Sequence, residues 1–233
     1  MIHLGIIQLK DYESWIKSLG FDREWIVQAT QADIYKHIVT KCAELDLFGF
    51  PLTYDSYLIV INSMELFKFE KLLKTIELTT PVPINAYLGI GTTYLEALNN
   101  IKPFSNIAKE YAHDLNALNA EPIVAAHIDM DGYLQMLHEK GLSNIIRFMN
   151  ELVYNIKKYC MRFGGIAYYA GGDNILCFIP YNTLNEFKTN LNFENVKIGI
   201  GVSRKPRGAL KLAAQALELI RDKKCGNICI LEE

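Results

Sequence analysis

The chain has 233 residues, of which half are apolar and 21% are charged; this composition excludes intrinsic disorder and allows one large or two small folded domains. Its 24 basic and 26 acidic residues leave a formal net charge of −2, so no overall positive field recruits nucleic acid or an anionic membrane. No uncharged apolar run approaches the roughly 20 residues that cross a bilayer, and five cysteines without a CxxC pair disfavour a disulfide framework or a zinc site, so we expect a soluble, cytoplasmic protein with free thiols.

The two halves of the chain resemble each other in three segments that occur in the same order. Residues 4–12 align with the segment ending at Tyr133 at an offset of 121, and residues 54–61 align with 172–179 at an offset of 118. The Gly-Ile-Gly segment at 89–91 aligns with that at 199–201 at an offset of 110. Three collinear matches indicate an internal duplication rather than chance similarity among apolar strands.

Each half has the pattern of a strand, a helix, a hairpin, a strand and a helix. Apolar residues at helical spacing define three of these helices. They are Ala32, Tyr35, Val39 and Cys42 in the first half, Ile145, Phe148, Met149, Leu152, Ile156 and Cys160 in the second, and Ala209, Leu212, Ala213, Ala216, Leu217 and Ile220 near the end. A last short strand is predicted at residues 228–231.

This order predicts an α+β fold, a tandem repeat of two ferredoxin-like, palm-type βαββαβ domains with antiparallel sheets. We expect the helices to cover one face of each sheet, and the two open faces to pair around a cleft. The domains are predicted at residues 1–118, with a degenerate metal site, and at 122–233, with the metal-binding aspartates. They are expected to join near residues 118–122.

Acidic residues mark the end of the first strand of the second half. Because side chains alternate along a strand, His127, Asp129 and Asp131 share one face. Two carboxylates about 7 Å apart repel each other and persist more readily around a divalent cation. The alternative is that both lie at a solvated strand end, and His127 is either a general base or a core histidine with one hydrogen bond.

The sequence Gly171-Gly172-Asp173-Asn174 lies between two apolar strands and predicts a tight hairpin turn. In a ferredoxin-like unit this hairpin lies beside the end of the first strand, so we expect Asp129 and Asp173 to converge. Two aspartates and the Met130 carbonyl are the hard oxygen ligands that Mg²⁺ prefers. An isolated sequence of this kind is more simply an ordinary turn.

The first half departs from this metal pattern. Gln8 occupies the place of Asp129, Lys10 that of Asp131, and only Asp55 remains opposite. An amide and an ammonium do not replace two carboxylates around Mg²⁺, so we interpret the first half as a non-metal-binding unit that recognises the nucleotide or base. For Gln8, the alternative is a polar residue satisfied by neighbouring backbone.

The arrangement resembles the palm domains of class III nucleotidyl cyclases and GGDEF diguanylate cyclases, and nearly the whole chain resembles the archaeal GTP cyclohydrolase III family. The closer resemblance is carried by residues 7–12, 54–55, 126–129, 171–174, 199–201 with Arg204, and 227–231. It implies a magnesium-dependent enzyme that adds water at C8 of the guanine of GTP. The imidazole ring then opens to give a formylamino-pyrimidine ribonucleotide monophosphate, and inorganic phosphate is released.

The resemblance also implies roles for individual residues. Asp129, Met130 and Asp173 would hold Mg²⁺ on the phosphates, and Asp129, Asp173 and His127 would be catalytic. Residues expected to contact the substrate are Gln8, Asp55, Gly171, Gly172, Asn174, Arg204 and Arg221. Arg204 follows the cyclohydrolase pattern, and Arg221 falls where GGDEF domains carry a phosphate-contacting lysine, although a cation at a helix C-terminus is the alternative.

Two other functions fit the same fold. A nucleotidyl cyclase is disfavoured because Asn174 stands where the GGDEF motif has a glutamate, and a non-catalytic nucleotide-binding module is disfavoured by the intact Asp129 and Asp173. GTP is the expected partner, without nucleic acid or membrane. Open sheet edges and apolar helix faces favour a homo-oligomer.

Overall fold

A computed structural model of the chain describes residues 1–61, 66–105, 121–191, 193 and 195–233. Its contacts divide the chain into two compact units. Unit 1 comprises Met1–Gly91 and Glu96–Ala120, and unit 2 comprises Thr92–Leu95 and Glu121–Glu233. The predicted junction at residues 118–122 falls mostly outside the described residues.

Unit 1 is built on a five-stranded antiparallel sheet with strand order β2-β3-β1-β4-β5. The strands are β1 Ile2–Leu9, β2 Phe48–Pro51, β3 Ser56–Ile61, β4 Ile84–Gly91 and β5 Ile101–Pro103. The helices are α1 Tyr12–Ser18, α2 Glu24–Glu44, α3 Leu66–Ile76 and α4 Tyr94–Asn99, of which the first two residues of α4 are counted in unit 2. The core packs β1, β3 and β4 against α2 and α3.

Unit 2 repeats this plan with strand order β10-β9-β6-β8-β7. Its strands are β6 Ile123–Met130, β7 Ile166–Gly171, β8 Asn174–Ile179, β9 Val196–Ser203 and β10 Ile228–Glu232. Its helices are α5 Tyr133–Lys140, α6 Leu142–Arg162, α7 Leu184–Thr189 and α8 Pro206–Arg221. The predicted α+β tandem repeat is confirmed.

The last strand of unit 2 departs from the predicted antiparallel sheet, because β10 pairs with β9 in parallel. Helix α8 has 16 residues and therefore spans about 24 Å, which is close to the length of β9. The chain thus returns to the end of the sheet where β9 began before β10 starts. In unit 1 the corresponding helix α4 has only six residues, and β5 runs back antiparallel to β4.

Matching hydrogen bonds confirm the internal repeat at the level of single residues. The Leu9 N–H donates to the Asp55 carbonyl over 2.9 Å, and the Met130 N–H donates to the Asp173 carbonyl over 3.3 Å. The strand residue before each donor is Gln8 in unit 1 and the aspartate of β6 in unit 2. The offsets of 121 and 118 therefore hold in three dimensions.

The third sequence alignment was wrong by two residues. The Lys10 N–H donates to the Pro83 carbonyl and the Asp131 N–H to the Asn195 carbonyl, over 2.7 and 2.8 Å. Pro83 and Asn195 are 112 positions apart, not 110. The two Gly-Ile-Gly segments were aligned with each other because both let a helix approach the sheet. Their positions along the equivalent strands, however, differ by two residues.

The prediction that one face of each sheet stays open was wrong. In unit 1 the face opposite the core with α2 and α3 carries Leu4 and Val60, which are buried, and in unit 2 a helix covers the corresponding face. One face of β6 packs into the core with α6, and α8 covers the other, which carries His127 and Asp129. Strand β9 has no side chains at Gly199 and Gly201, which lie opposite His127 and Ala125 on that face. A Cβ at Gly201 would lie 1.9 Å from the Ala209 carbonyl oxygen. The two glycines therefore let the helix backbone rest directly on the strand.

The buried face of α2 also differs from the predicted one. Its buried residues are Val27, Ile34, Ile38 and Cys42, whereas Ala32 is exposed and Tyr35 and Val39 are half-buried. The larger branched side chains thus take the core, and only Cys42 was assigned correctly. Among the described residues, no helix is long and apolar enough to cross a membrane.

A buried histidine makes the stability of the fold depend on pH. His3 in β1 is 2% exposed, and burial lowers its pKa from 6.5 to about 4. Between these values the unfolded chain binds the extra proton, so stability falls as the pH falls. Urea unfolding at pH 7.5 and at pH 4.5 measures this loss of stability. Between these two pH values, the free energy of unfolding should fall by ~2.5 kcal/mol less in His3→Leu than in the unsubstituted chain. Equal losses in the two proteins would contradict this assignment.

Candidate functional site

The end of β6 holds the nearly buried carboxylate of Asp129, which is 7% exposed. Its Oδ2 accepts a hydrogen bond of 2.9 Å from Nη2 of Arg221, the last residue of α8. Arg221 also pairs with Glu218 one turn earlier. The hydrogen bond to Asp129 raises the pKa of Arg221. The structure thus joins two separately predicted site residues in one ion pair.

The predicted hairpin lies beside this carboxylate. Gly171 has φ of 100° and Gly172 has φ of 61°, a left-handed conformation that favours glycine over residues with a Cβ. The Tyr169 hydroxyl donates to the Gly172 carbonyl over 2.9 Å, and Asn174 pairs directly with Asp129 across the sheet. The turn therefore fixes Asp173 at the end of the sheet where Asp129 lies.

A chain of hydrogen bonds connects three of the predicted residues. Asn174 Nδ2 donates to Asp173 Oδ1 over 2.7 Å, and Asn174 Oδ1 lies 2.7 Å from His127 Nε2. Because this amide oxygen is an acceptor, His127 Nε2 carries the proton and its basic nitrogen is Nδ1. The role of His127 as general base stays a prediction.

The donor set at this end of the sheet fits Mg²⁺. In an antiparallel ladder the N–H and carbonyl of one residue point to the same neighbouring strand. The Met130 N–H donates to Asp173, so the Met130 carbonyl also points toward the hairpin. Two carboxylates and this carbonyl are hard oxygen donors, while the described residues contain no group of three or more His, Cys, Asp and Glu side chains placed for a metal.

Asp131 has a different partner. Its side chain is 58% exposed, and its Oδ1 lies 2.8 Å from Lys197 Nζ. Lys197 is the second residue of β9 and pairs with Asp129 across the sheet; it was not among the predicted site residues. The one signal for it was its position two residues before the Gly-Ile-Gly segment.

Comparison with known proteins places the chain in a family. A family model described as GTP cyclohydrolase III matches residues 2–233. The chain is 36% identical to GTP cyclohydrolase III of Sulfurisphaera tokodaii over 92% of both chains. The chain belongs to the GTP cyclohydrolase III family. Another member, from Saccharolobus solfataricus, is 28% identical over 94% of both chains. Among solved structures, a bacterial light-regulated adenylyl cyclase aligns over 95% of this chain and 83% of its own, with 13% identity and a TM-score of 0.35.

In this GTP cyclohydrolase III family member, Arg204 lies apart from the carboxylates of unit 2. Asp129 pairs with Lys197 at one end of β9, whereas Arg204 follows Ser203 at the other end. Arg204 lies seven residues after Lys197, which corresponds to about 23 Å along an extended chain. The structure does not bring Arg204 to Asp129, and its contact with the substrate stays a prediction.

Unit 1 holds the counterpart of the carboxylate pair. Asp55 accepts hydrogen bonds from Thr53, Ser56 and Gln8 over 2.6, 2.9 and 3.3 Å. Partial burial raises the pKa of Asp55, but these hydrogen bonds outweigh it and the net pKa is lowered. Gln8, Asp55 and Lys10 line a polar cavity of about 430 Å³. The three unit 1 residues at the positions of the unit 2 acidic residues therefore lie together. Their role in recognition of the nucleotide or base stays a prediction.

Asn174 should matter more for turnover than for folding in this family member. We expect Asn174→Ala to lower turnover of GTP by roughly 10-fold to 100-fold, because Asp173 and His127 lose the amide between them. The free energy of unfolding should be only about 1 kcal/mol lower than that of the unsubstituted chain. Steady-state kinetics and urea unfolding of the same preparation measure both. Unchanged turnover would contradict a positioning role for this amide.

Proposed function

We propose that this chain is a magnesium-dependent enzyme that opens the guanine imidazole ring of GTP by hydrolysis. The product is a formylamino-pyrimidine ribonucleotide monophosphate, and two inorganic phosphates leave. One water is consumed in opening the ring and two in releasing the phosphates. The full-length match to the GTP cyclohydrolase III family over residues 2–233 is the observation that supports this most strongly.

Asp129, Asp173 and the Met130 carbonyl would hold the metal. When bound, Mg²⁺ would neutralise charge on the phosphates and lower the pKa of a nearby water. Other residues of the chain hold these two carboxylates in position. The hairpin glycines and Asn174 fix Asp173, while the register of β6 and β8 fixes Asp129.

Arg221 connects the carboxylate site to the triphosphate in this proposal. Its guanidinium holds the Asp129 carboxylate, and its side chain is 45% exposed. An exposed guanidinium can turn toward a phosphate when the carboxylate takes a metal, since carboxylate and phosphate are both oxyanions that accept two hydrogen bonds from a guanidinium. Arg221 would then neutralise phosphate charge at the same end of the sheet.

A product assay tests this function. Purified protein with GTP and Mg²⁺ should change the ultraviolet spectrum of the purine, release two phosphates per ring opened, and yield the ring-opened nucleotide by mass spectrometry. EDTA in excess should abolish all three. A cyclic nucleotide product would instead identify a nucleotidyl cyclase, and tight GTP binding without any product would identify a binding module.

The expected homo-oligomer belongs to the same proposal. In each sheet the outermost strands, β2 and β5 in unit 1 and β7 and β10 in unit 2, pair on one side with a neighbour of the same sheet. Such strands are places where a second copy of a chain can add. Sedimentation of the protein at several concentrations measures the number of subunits directly.

A further inference from the structure

Unit 2 contains two pairs of cysteines, and the thiols of each pair share a hydrogen bond. Cys160 of α6 pairs with Cys177 of β8, and Cys225, which follows the end of α8, pairs with Cys229 of β10. All four are free thiols. We infer that Cys225 and Cys229 form a reversible disulfide when the folded protein meets a peroxide, whereas Cys160 and Cys177 stay reduced. This modification site does not depend on the proposed function.

The connection between α8 and β10 brings the two thiols of the outer pair together. Positions 225 and 229 would lie about 13 Å apart in an extended strand, so the chain has to fold back between them. The Cys225 thiol donates to the Ile228 carbonyl oxygen over 3.6 Å, and Cys225 packs against the cluster formed by Cys229, Leu217 and Ile220. Rotation of one side chain can then bring the two sulfur atoms to the ~2 Å of a disulfide bond.

The two pairs differ in their access to solvent. Cys160 and Cys177 are 0% exposed and lie in the main core of unit 2, whereas Cys225 is only partly buried. Oxidation of a thiol requires contact with the oxidant, so a peroxide reaches Cys225 but neither thiol of the core pair. Burial and the hydrogen bond with Cys225 raise the pKa of Cys229 to about 11, which makes Cys229 a poor first site of attack.

The oxidation proceeds in two balanced steps. Hydrogen peroxide transfers one oxygen to the Cys225 sulfur, which becomes a sulfenic acid, and the peroxide is reduced to water. The Cys229 sulfur then attacks the Cys225 sulfur, and the hydroxyl group leaves with the Cys229 thiol proton as a second water. Two thiols and one peroxide thus give one disulfide and two waters. A dithiol reductant restores both thiols by exchange.

The disulfide would fasten the start of β10 as hydrogen bonds already fasten its end. Strand β10 is the outermost strand of its sheet and pairs there with β9. At its end, the Glu233 N–H donates to the Val202 carbonyl over 3.1 Å, and the Glu233 carboxylate accepts a hydrogen bond of 2.8 Å from the Ser203 hydroxyl. A covalent link from Cys225 to Cys229 would hold the first residues of β10 to the end of α8. Oxidation should therefore slow local opening of this strand.

Mass spectrometry of the full chain tests the inference. Treatment of the folded protein with hydrogen peroxide should lower its mass by about 2 Da, the two hydrogen atoms that disulfide formation removes. Trypsin cuts after Lys224, so both cysteines lie in the peptide 225–233, which should carry the whole mass change. Cys42, Cys160 and Cys177 should remain open to alkylation once the oxidised chain is unfolded, and dithiothreitol should restore the original mass.

Substitutions separate the two steps of the reaction. In Cys229→Ala the oxidation should stop at the sulfenic acid of Cys225, which dimedone traps as an adduct. In Cys225→Ser the thiol of Cys229 should stay unmodified, because it is covered and its pKa is high. Cys177→Ala is the matched control, since it removes one thiol of the core pair and should leave the yield of the 225–229 disulfide unchanged.

Hydrogen exchange measures the effect on β10. The amides of residues 228–232 should exchange at least threefold more slowly in the oxidised chain than in the reduced one, and the peroxide-treated Cys225→Ser should show no such change. The inference is overturned if the thiols of peptide 225–233 stay free, if Cys160 and Cys177 oxidise as fast as the outer pair, or if exchange in β10 is the same in both states. None of these measurements uses GTP, so failure of the proposed function would leave them unaltered.

Discussion

Asp129→Asn is expected to lower the turnover of GTP by on the order of a thousandfold, because about 4 kcal/mol of charge stabilisation in the transition state is lost. The amide has the shape of the carboxylate but no charge, so it is a poor ligand for Mg²⁺. Folding should be little affected. Arg221 loses its anionic partner, but its side chain is 45% exposed and remains solvated, so the free energy of unfolding should fall by no more than about 1 kcal/mol.

Asp131→Asn is the matched control for this substitution. Asp131 lies two residues further along the same strand direction, is 58% exposed and pairs with Lys197. Its loss should change turnover less than about threefold, since an exposed ion pair contributes little. Steady-state rates of ring opening and phosphate release measure both variants. Comparable losses in the two would show that charge in general, rather than the Asp129 position, supports the reaction.

Gly201→Ala is expected to destabilise the fold by about 3 kcal/mol or more. The added methyl group would lie 1.9 Å from the Ala209 carbonyl oxygen and 2.5 Å from the Ala213 nitrogen, so strand and helix backbones must separate. Overpacking typically costs 1–3 kcal/mol and more where backbone must move. Because α8 ends in Arg221, we also expect the ion pair with Asp129 to be disturbed and GTP turnover to fall.

Gly226→Ala provides the comparison within the same unit. A methyl group at Gly226 would meet no described atom within 4 Å, so the free energy of unfolding should stay within about 0.5 kcal/mol. Urea unfolding of the two variants and the unsubstituted chain decides the matter. Equal stability of Gly201→Ala and Gly226→Ala would mean that α8 does not rest on β9 at the distance described.

Much of the fold follows from patterns that are local in sequence. The repeated strand ends at Gln8 and Asp129 and the repeated hairpins at Asp55 and Asp173 were aligned correctly, because each strand alternates and each turn has few conformations. The apolar stripe of α6 was also correct, since large side chains recur at helical spacing over the whole helix. These features required no knowledge of contacts between distant residues.

The parts that sequence reasoning missed depend on contacts between distant residues. The ion pair between Asp129 and Arg221 requires α8 to lie on the face of the sheet that was predicted to be open. Gly199 and Gly201 permit this, but a glycine in a strand pattern does not by itself show which helix approaches it. Arg204 was predicted as a substrate contact, and that contact stays a prediction; the register of β6 and β9 places the residue beyond the end of β9 that lies away from Asp129.

The core stripe of α2 was misassigned because helical spacing alone does not show which face of a helix is buried most deeply. Tyr35 satisfies helical spacing, but it is half-buried at the edge of the core, whereas Ile34 and Ile38 are fully buried.

The central claim is that Asp129 and Asp173 hold one divalent ion on the triphosphate, and Mn²⁺ in place of Mg²⁺ tests it most directly. Electron paramagnetic resonance should detect Mn²⁺ bound to the unsubstituted chain in the presence of GTP. The affinity for Mn²⁺ should fall at least tenfold in both Asp129→Asn and Asp173→Asn, and it should remain unchanged in Asp131→Asn. Equal Mn²⁺ affinity in all four proteins would contradict the account.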